Sequence, residues 1–180
     1  MAVIRPFECV RPQAEKAERV AALPYDVYNR EEACREVARE PLSFLKIDRA
    51  ETQFDSSVDT YAPEVYAKAK ELLENAIADG TFIKDSEQAY YIYELTMDGR
   101  VQTGLVACAS IDDYESNVIK KHENTRADKE LDRITHVDTC NAQTGPIFLA
   151  YRANAVINGE IDKAKKKSSL YNFVSPDGVR

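Results

Sequence analysis

Residues 63–79 constrain the fold most, because they can form one amphipathic helix with a clear beginning and a clear end. Pro63 suits a first helical position, where its missing N–H leaves no hydrogen bond unmade. Gly80 follows the segment and is typical of the residue just beyond a helix. Apolar side chains recur at helical spacing and predict one buried face, made of Val65, Ala69, Leu72, Ala76 and Ile77. The rest of the chain must supply an apolar surface that covers this face.

A β-hairpin is predicted directly after this helix. Residues 89–96 and 101–111 are rich in β-forming side chains, and Asp98-Gly99 between them is a strong signal for a tight turn. The remaining predicted elements are strands at 42–48 and 145–151 and helices at 30–39, 126–136 and 154–167. We therefore predict an α+β fold in which a mixed or antiparallel sheet is flanked by helices.

The last residues predict how the chain is divided. Residues 170–175 are strand-like, and Pro176-Asp177-Gly178 is a turn signal after which a return strand would begin at Val179. We interpret this as the N-terminal portion of a longer protein. The predicted organisation is a single α+β domain over residues 1–155, followed at 156–180 by the start of a second, truncated segment with a helix and half a hairpin.

Composition narrows the classes of function. The net charge is −7, from 24 basic and 31 acidic residues, which makes nucleic acid an unlikely partner. No apolar run is long enough to cross a bilayer and no signal peptide is evident, so we expect a cytoplasmic protein with no membrane partner. The four cysteines are widely spaced, which argues against a zinc site or a disulfide framework. A homo-oligomer is left open.

The polar stretch before the helix at 126–136 is the main candidate site. We call it the polar tetrad, and it consists of His122, Glu123, Asn124 and Thr125. Free N–H groups and the helix dipole favour anions at such a position, so a phosphate site is predicted there. Arg126 and His122 would add charge-assisted hydrogen bonds, and Lys129 continues the basic stripe that ends at Arg133. Glu123 is the candidate ligand for Mg²⁺.

Ordinary helix capping explains the same residues equally well. Thr125 is the expected N-cap, with Asn124 as the competing choice. On a helical wheel, the predicted buried face of this helix contains Ala127, Leu131 and Ile134. His136 lies further along the helix and is expected to be a partly buried or surface histidine.

A second candidate lies in the loop around Pro24. Tyr25 and Asp26 follow this proline, and Asn29 with Glu32 then forms a capping-box pattern that predicts the start of the next helix. Asp26 is a candidate general base, and Tyr25 a candidate ligand-binding side chain. The alternative is a turn aspartate that bonds its own backbone.

The ordered motifs together resemble a known family. They are Ile4-Arg5-Pro6-Phe7, Pro24-Tyr25-Asp26-Val27, the tyrosine-rich hairpin, the polar tetrad and Gly145-Pro146-Ile147-Phe148. This set is similar to domain-of-unknown-function family 1015 (DUF1015), members of which carry SpoOJ/ParA/ParB/RepB-like labels. The resemblance covers essentially the whole chain.

The label implies a distant relation to the ParB/sulfiredoxin-like fold. Members of that superfamily bind nucleotides, and some act as nucleotide hydrolases or kinases of free serine. By this resemblance Glu123 matches a metal-binding glutamate, and Thr125 and Arg126 fall near phosphate-binding residues. His122 stands where the superfamily box has glycine, and Asn124 where it has arginine.

Three functions follow as hypotheses. The first is a phosphate- or nucleotide-binding domain that acts as a Mg²⁺-nucleotide-dependent small-molecule kinase or nucleotide hydrolase, with Asp26 and Glu123 as catalytic residues. The second is a non-catalytic ligand- or protein-binding regulatory module. The third, disfavoured by the acidic charge, is a ParB-like protein associated with nucleic acid.

Overall fold

The computed structural model describes residues 2–121 and 124–180 and has an α+β fold. Its helices are α1 (Ala17–Val20), α2 (Arg30–Arg39), α3 (Leu45–Asp48), α4 (Pro63–Ala78), α5 (Ile111–Glu115), α6 (Ala127–Cys140) and α7 (Ala155–Ala164). Its strands are β1 (Ile4–Arg5), β2 (Val10–Pro12), β3 (Phe82–Lys84), β4 (Tyr91–Met97), β5 (Arg100–Val106) and β6 (Cys108–Ala109). The long amphipathic helix and the hairpin are both confirmed at their predicted places.

The chain forms two compact units, each built from separate stretches of sequence. Unit 1 contains the described residues of the ranges 1–14, 84–124 and 148–180, and unit 2 contains residues 15–83 and 125–147. The predicted division at residue 155 concerns independent domains along the sequence. The two compact units do not test the predicted boundary at residue 155, which stays a prediction.

Unit 2 holds the apolar core. Its buried members are Val20, Ile47, Ala50, Val65, Ala69, Leu73, Ala76, Phe82 and Cys140. Helix α4 supplies the central face, as its spacing predicted, although Ile77 is exposed and Tyr66 is buried instead. Gly80 follows α4 with a φ of 74°, in the left-handed region that glycine adopts without strain. This core positions α6, which packs against α4.

Two local predictions in unit 2, the start of α2 and the strand at 42–48, have different outcomes. Asn29 caps α2 by accepting from the Glu32 N–H at 2.9 Å, and the Glu32 carboxylate accepts from the Asn29 N–H at 2.8 Å. The predicted capping box is therefore confirmed. The predicted strand at 42–48 is wrong, because Leu45–Asp48 forms the short helix α3, in which the Ile47 N–H donates to the Phe44 carbonyl at 2.9 Å. A short apolar run fits a buried helix as well as a strand.

Unit 1 is built around antiparallel pairs. Strands β4 and β5 pair from Tyr91↔Val106 to Met97↔Arg100, across the predicted Asp98-Gly99 turn. Both turn residues have positive φ, 51° and 75°, as a tight hairpin turn requires. The short strands β1 and β6 pair through Ile4↔Ala109 and Arg5↔Cys108. The antiparallel expectation is thus confirmed for these strands.

A polar clasp joins distant segments of unit 1. Arg11 Nε donates to both carboxylate oxygens of Asp85, at 2.9 and 3.0 Å. Arg11 Nη1 donates to the Tyr171 hydroxyl at 2.9 Å, and the Tyr91 hydroxyl donates to Asp85 at 2.6 Å. The hydrogen bonds from the Arg11 guanidinium lower the pKa of Asp85. This carboxylate therefore remains ionised at pH values at which a free aspartate begins to take up a proton.

The predicted strand at 145–151 is also wrong. This segment has no assigned strand, and Phe148 is 79% exposed. The β-propensity of a sequence reflects how well it fits beside another strand, and none pairs with this segment among the described residues. Within the described ranges, every helix is too short or too polar to span a membrane.

Candidate functional site

Helix α6 turns its ionisable side inward and its apolar side outward. The buried residues are Asp132, His136 and Cys140, which follow one another at intervals of four along one face. Leu131 is 65% exposed and Ile134 is 58% exposed. The predicted buried face, which also included the exposed Ala127, is therefore wrong. A helix that buries carboxylate, imidazole and thiol groups in place of aliphatic ones indicates a specific role for those groups.

The start of α6 also differs from its prediction. Its N-cap is Arg126, which makes no side-chain capping bond, so the expected caps Thr125 and Asn124 are both wrong. The helix begins one residue late and continues to Cys140. The next residue, Asn141, is the C-cap, and its φ of 48° lies in the left-handed region. Both Asn124 and Thr125 are exposed, and they belong to different units.

Asp132 is the centre of the first polar group in unit 2. The Tyr66 hydroxyl of α4 donates to its Oδ1 at 2.9 Å. Arg133 Nε donates to its Oδ2 at 3.1 Å, and Arg133 Nη2 lies 3.0 Å from the same oxygen. Burial and the bond to Asp132 raise the pKa of Tyr66, so its hydroxyl keeps its proton. Tyr66 thus occupies Oδ1 of Asp132, and two nitrogens of Arg133 approach Oδ2.

Arg133 links this group to the loop around Tyr25. Its guanidinium carbon lies 4.3 Å from the centre of the Tyr25 ring, which is a close cation–π distance. Nη1 of Arg133 has no hydrogen-bond partner among residues 2–121 and 124–180, and the side chain is 30% exposed. We call Tyr25, Tyr66, Asp132 and Arg133 the Arg133 cluster. Its guanidinium is fixed in orientation and retains an unused donor group.

Arg49 hydrogen-bonds the backbone of the loop that carries Tyr25. Nη1 of Arg49 donates to the carbonyl oxygens of Tyr25 and Tyr28, at 3.0 and 2.7 Å. Its Nε donates to the carboxylate of Glu51 at 2.5 Å, and Glu51 is fully buried. The backbone of this loop is therefore anchored to the core beside Arg133.

A second buried group lies next along α6. We call it the His136 pocket, and it contains Asp48, His136, Cys140 and Thr144. His136 Nε2 lies 3.7 Å from Asp48 Oδ1 and 3.8 Å from Cys140 Sγ. Thr144 Oγ1 donates to Asp48 Oδ1 at 3.1 Å. His136, expected to be partly buried or at the surface, is only 2% exposed.

Burial sets the charge state of this pocket. Burial, reinforced by the positive charge of Arg133, lowers the pKa of His136 to about 4. Burial raises the pKa of Asp48. The short Asp48–His136 distance is therefore not a salt bridge at neutral pH, because the imidazole is uncharged there.

The same geometry argues against a thiol nucleophile. Asp48 and Cys140 both approach the same ring nitrogen of His136, whereas a relay needs one partner on each nitrogen. Burial also raises the pKa of the Cys140 thiol. The pocket therefore keeps Cys140 as a protonated, unreactive side chain.

Three further predicted site residues, at positions 26, 126 and 129, lie at the surface. Asp26 is exposed and its carboxylate has no partner in the described part of the chain. Arg126 donates to both oxygens of the neighbouring Asp128, at 3.1 and 2.8 Å, on the surface. Lys129 Nζ donates to the Tyr61 hydroxyl at 2.8 Å. His122 and Glu123 lie outside the described residues.

Among the predicted site residues, Tyr25 contacts α6. Tyr25 meets the basic stripe of α6 at Arg133, two turns beyond Arg126. Sequence reasoning did not select Asp48 or Asp132 as site residues. One signal was available, because an aspartate, a histidine and a cysteine at intervals of four must share one face of a helix. In the described ranges, His, Cys, Asp and Glu side chains form no group of three or more suited to a metal ion.

No curated protein and no solved structure matches the chain. One family model does match, and it extends over residues 4–180, which is nearly the whole sequence. The chain therefore belongs to the family described as Protein of unknown function (DUF1015).

Proposed function

We propose that unit 2 binds a phosphate-bearing small molecule, most simply a nucleotide, and that Arg133 is the principal anion ligand. The observation that carries this proposal is the state of the Arg133 guanidinium. Asp132 and the Tyr25 ring hold it in place, while Nη1 has no partner in the described part of the chain. A preorganised arginine with an unused donor matches the geometry of phosphate oxygens.

The surroundings of Arg133 support the same proposal. Tyr25 presents an aromatic ring, and Arg49 fixes the backbone that carries it. Asp26 follows Tyr25 directly and remains the candidate base, since its exposed carboxylate is available to a bound hydroxyl or water. The side chains of Arg126 and Lys129 extend the positive stripe along α6, and an incoming phosphate would compete with their present partners.

Mg²⁺ would accompany the nucleotide. Phosphate oxygens would supply ligands to this ion, as is usual for it. Glu123, which lies outside the described residues, stays the candidate protein ligand from the sequence resemblance alone. Bound Mg²⁺ would neutralise phosphate charge and make phosphoryl transfer or hydrolysis feasible. The residues of unit 2 would contribute binding and orientation of the phosphate through Arg133, and proton transfer at the Asp26 carboxylate.

Nucleotide binding can be tested by isothermal titration calorimetry with ATP, ADP and CTP, each with Mg²⁺. The Arg133→Met variant should bind at least about 10-fold more weakly, because a charge-assisted hydrogen bond contributes roughly 1.5–3 kcal/mol. Arg35→Met is the matched control, since Arg35 forms an exposed ion pair with Glu31 on α2. Absence of binding by the unaltered protein, or equal loss in both variants, would refute the proposal.

The Arg133→Met change also removes a partner from the buried Asp132. The double variant Arg133→Met/Asp132→Asn avoids leaving that carboxylate uncompensated, and it should likewise bind at least about 10-fold more weakly. Circular dichroism would establish that each variant retains its helices. Phosphorus NMR of bound MgATP then separates an enzyme from a non-catalytic binding module, because only an enzyme converts the γ-phosphate signal over time.

A further inference from the structure

Strand β4 in unit 1 has backbone groups that point away from β5. In an antiparallel pair, alternate residues bond the partner strand and the residues between them point outward. Thr96 points outward, because its N–H and C=O bond the backbone of Arg180 at 2.7 and 3.0 Å. Ile92 and Glu94 are in the same phase of β4 as Thr96. Their outward N–H and C=O groups have no backbone partner in the described part of the chain.

The ends of the hairpin agree with this phase. Met97 and Arg100 flank the two-residue turn, where the closing pair of a hairpin is hydrogen-bonded. At the other end, Ala89 uses both its N–H and its C=O to bond Phe7, at 3.0 and 3.1 Å. The backbone groups of Tyr90, the next residue, therefore point to the opposite side. The open stretch covers residues 90–94, and we call it the β4 edge.

The side chains of the β4 edge favour pairing with another strand. Residues 90–93 are Tyr-Tyr-Ile-Tyr, which are all β-forming, and Tyr93 is 60% exposed. The one acidic residue of the stretch is Glu94, and Lys165 of the same unit forms an ion pair with it. An edge with β-forming side chains and little net charge is a template for pairing with another chain.

The opposite edge of the hairpin, on β5, suits a partner strand less well. Its centre is Gln102-Thr103-Gly104, and a glycine has no side chain to pack beside a neighbouring strand. The β4 side, in contrast, already accepts a backbone segment. The reciprocal bonds between Thr96 and Arg180 are those of an antiparallel pair, so an antiparallel strand beside residues 90–94 would continue the same ladder.

A second copy of the β4 edge fits this position. In an antiparallel register centred on Ile92, this residue lies opposite Ile92 of the second copy, and Glu94 lies opposite Tyr90. The three outward-facing residues of each copy then exchange about six backbone hydrogen bonds. Tyr93 lies beside Tyr91 of the second copy, which is a favourable aromatic cross-strand pair. The two Glu94 carboxylates are roughly 13 Å apart along the strands, so like charges do not meet.

We propose that the protein forms a weak symmetric dimer through the β4 edge, with Ile92 of both copies at the two-fold axis. Both copies use the same surface, so the assembly closes after two chains. The dimer contact lies in unit 1. It does not depend on the anion site proposed in unit 2, and neither proposal requires the other.

Sedimentation velocity of the full chain over a range of concentrations tests the association. The dissociation constant should be on the order of 100 μM, as suits a short interface. Hydrogen exchange then locates the contact. At about 1 mM protein, the amides of Ile92 and Glu94 should exchange roughly 5-fold more slowly than in dilute solution, because mass action reduces the monomer. The outward amides of Val101 and Thr103 on β5 should be unaffected.

Charge substitutions at the axis test the register. Ile92→Lys and Ile92→Glu each place two like charges opposite one another, so each variant alone should stay monomeric. An equimolar mixture of the two pairs opposite charges and should dimerise again. Val101→Lys and Val101→Glu are the matched controls, because Val101 is exposed on the other edge of the hairpin, and both should dimerise like the unaltered protein.

Several results would overturn the β4 dimer. A protein that is monomeric at about 1 mM does not form it. Dimers that persist in Ile92→Lys, or that are lost equally in Val101→Lys, use another surface. Failure of the mixture to dimerise excludes the register centred on Ile92. Slow exchange of the Ile92 and Glu94 amides at every concentration would mean that the edge is covered within one chain.

Discussion

Leu131 and Asp132 are neighbours in the chain, yet Leu131 is 65% exposed and Asp132 only 9%. The carboxylate occupies the interior because Tyr66 and Arg133 each donate a hydrogen bond to it. Such a buried carboxylate is tolerated only while its donors are present. The stability of unit 2 should therefore depend on these polar contacts, and four predictions follow from this and the neighbouring contacts.

Removing the Tyr66 hydroxyl should destabilise the protein. Tyr66→Phe takes away one of two donors to Asp132, and the expected loss of unfolding free energy is about 1–3 kcal/mol. Urea denaturation followed by circular dichroism measures it. Tyr93→Phe is the control, since that side chain is well exposed and its loss should cost at most about 0.5 kcal/mol. Equal effects of the two substitutions would contradict the role assigned to the Tyr66–Asp132 bond.

His136 should make stability depend on pH in a defined window. Its pKa is about 4 in the folded protein and about 6.5 when unfolded, so between these values the unfolded state binds more protons. The contribution of His136 to stability is therefore complete above about pH 6.5 and falls by about 3 kcal/mol as the pH drops to 4. His136→Gln should flatten this part of the profile.

Asp48 contributes to the same profile with the opposite sign. Its pKa is raised by burial, so its contribution is present at low pH and is lost as the pH rises through the folded-state value. The comparison of His136→Gln with the unaltered protein isolates the histidine, because Asp48 is present in both. The same pH dependence of stability in His136→Gln and in the unaltered protein between pH 6.5 and 4 would contradict this account.

The Arg49–Glu51 pair should behave as a coupled unit. Arg49→Met leaves the buried Glu51 carboxylate without its partner and should cost about 3–5 kcal/mol. The double variant Arg49→Met/Glu51→Met should lose less than the sum of the two single losses, which a double-mutant cycle by chemical denaturation measures. Strict additivity would show that the two side chains do not stabilise each other.

The capping box of α2 should contribute modestly. Asn29→Ala removes the acceptor for the Glu32 N–H and should lower the unfolding free energy by about 1 kcal/mol. Asn29→Asp keeps an acceptor oxygen and should be nearly neutral. Thermal unfolding of both variants checks this, and a loss in Asn29→Asp as large as in Asn29→Ala would be inconsistent with capping.

Local signals predicted those elements whose structure is decided locally. Pro63 and Gly80 correctly indicated the ends of α4, and the reciprocal Asn29–Glu32 pattern correctly indicated the start of α2. The Asp98-Gly99 turn was likewise recognisable, because its positive φ values restrict the residues that fit. Each of these features depends on residues within a few positions of one another.

Features that depend on distant partners were predicted poorly. The buried side of α6 was assigned from apolar periodicity, whereas Asp132 is buried because Tyr66, on another helix, provides a donor. The segment at 145–151 has the composition of a strand but has no strand beside it in the described part of the chain. The predicted site residues stay a prediction. The contact of Tyr25 with Arg133 on α6 was not predicted, because it depends on tertiary packing.

The pairing of Tyr66 with Asp132 also has a consequence during synthesis, since 66 positions of sequence separate the two residues. At about 5–20 residues per second, Tyr66 is synthesised roughly 3–13 s before Asp132. During that interval the Tyr66 hydroxyl of α4 lacks its carboxylate partner on the nascent chain. The newly made protein should therefore depend on chaperones until α6 has been translated, and slower translation should lengthen that period.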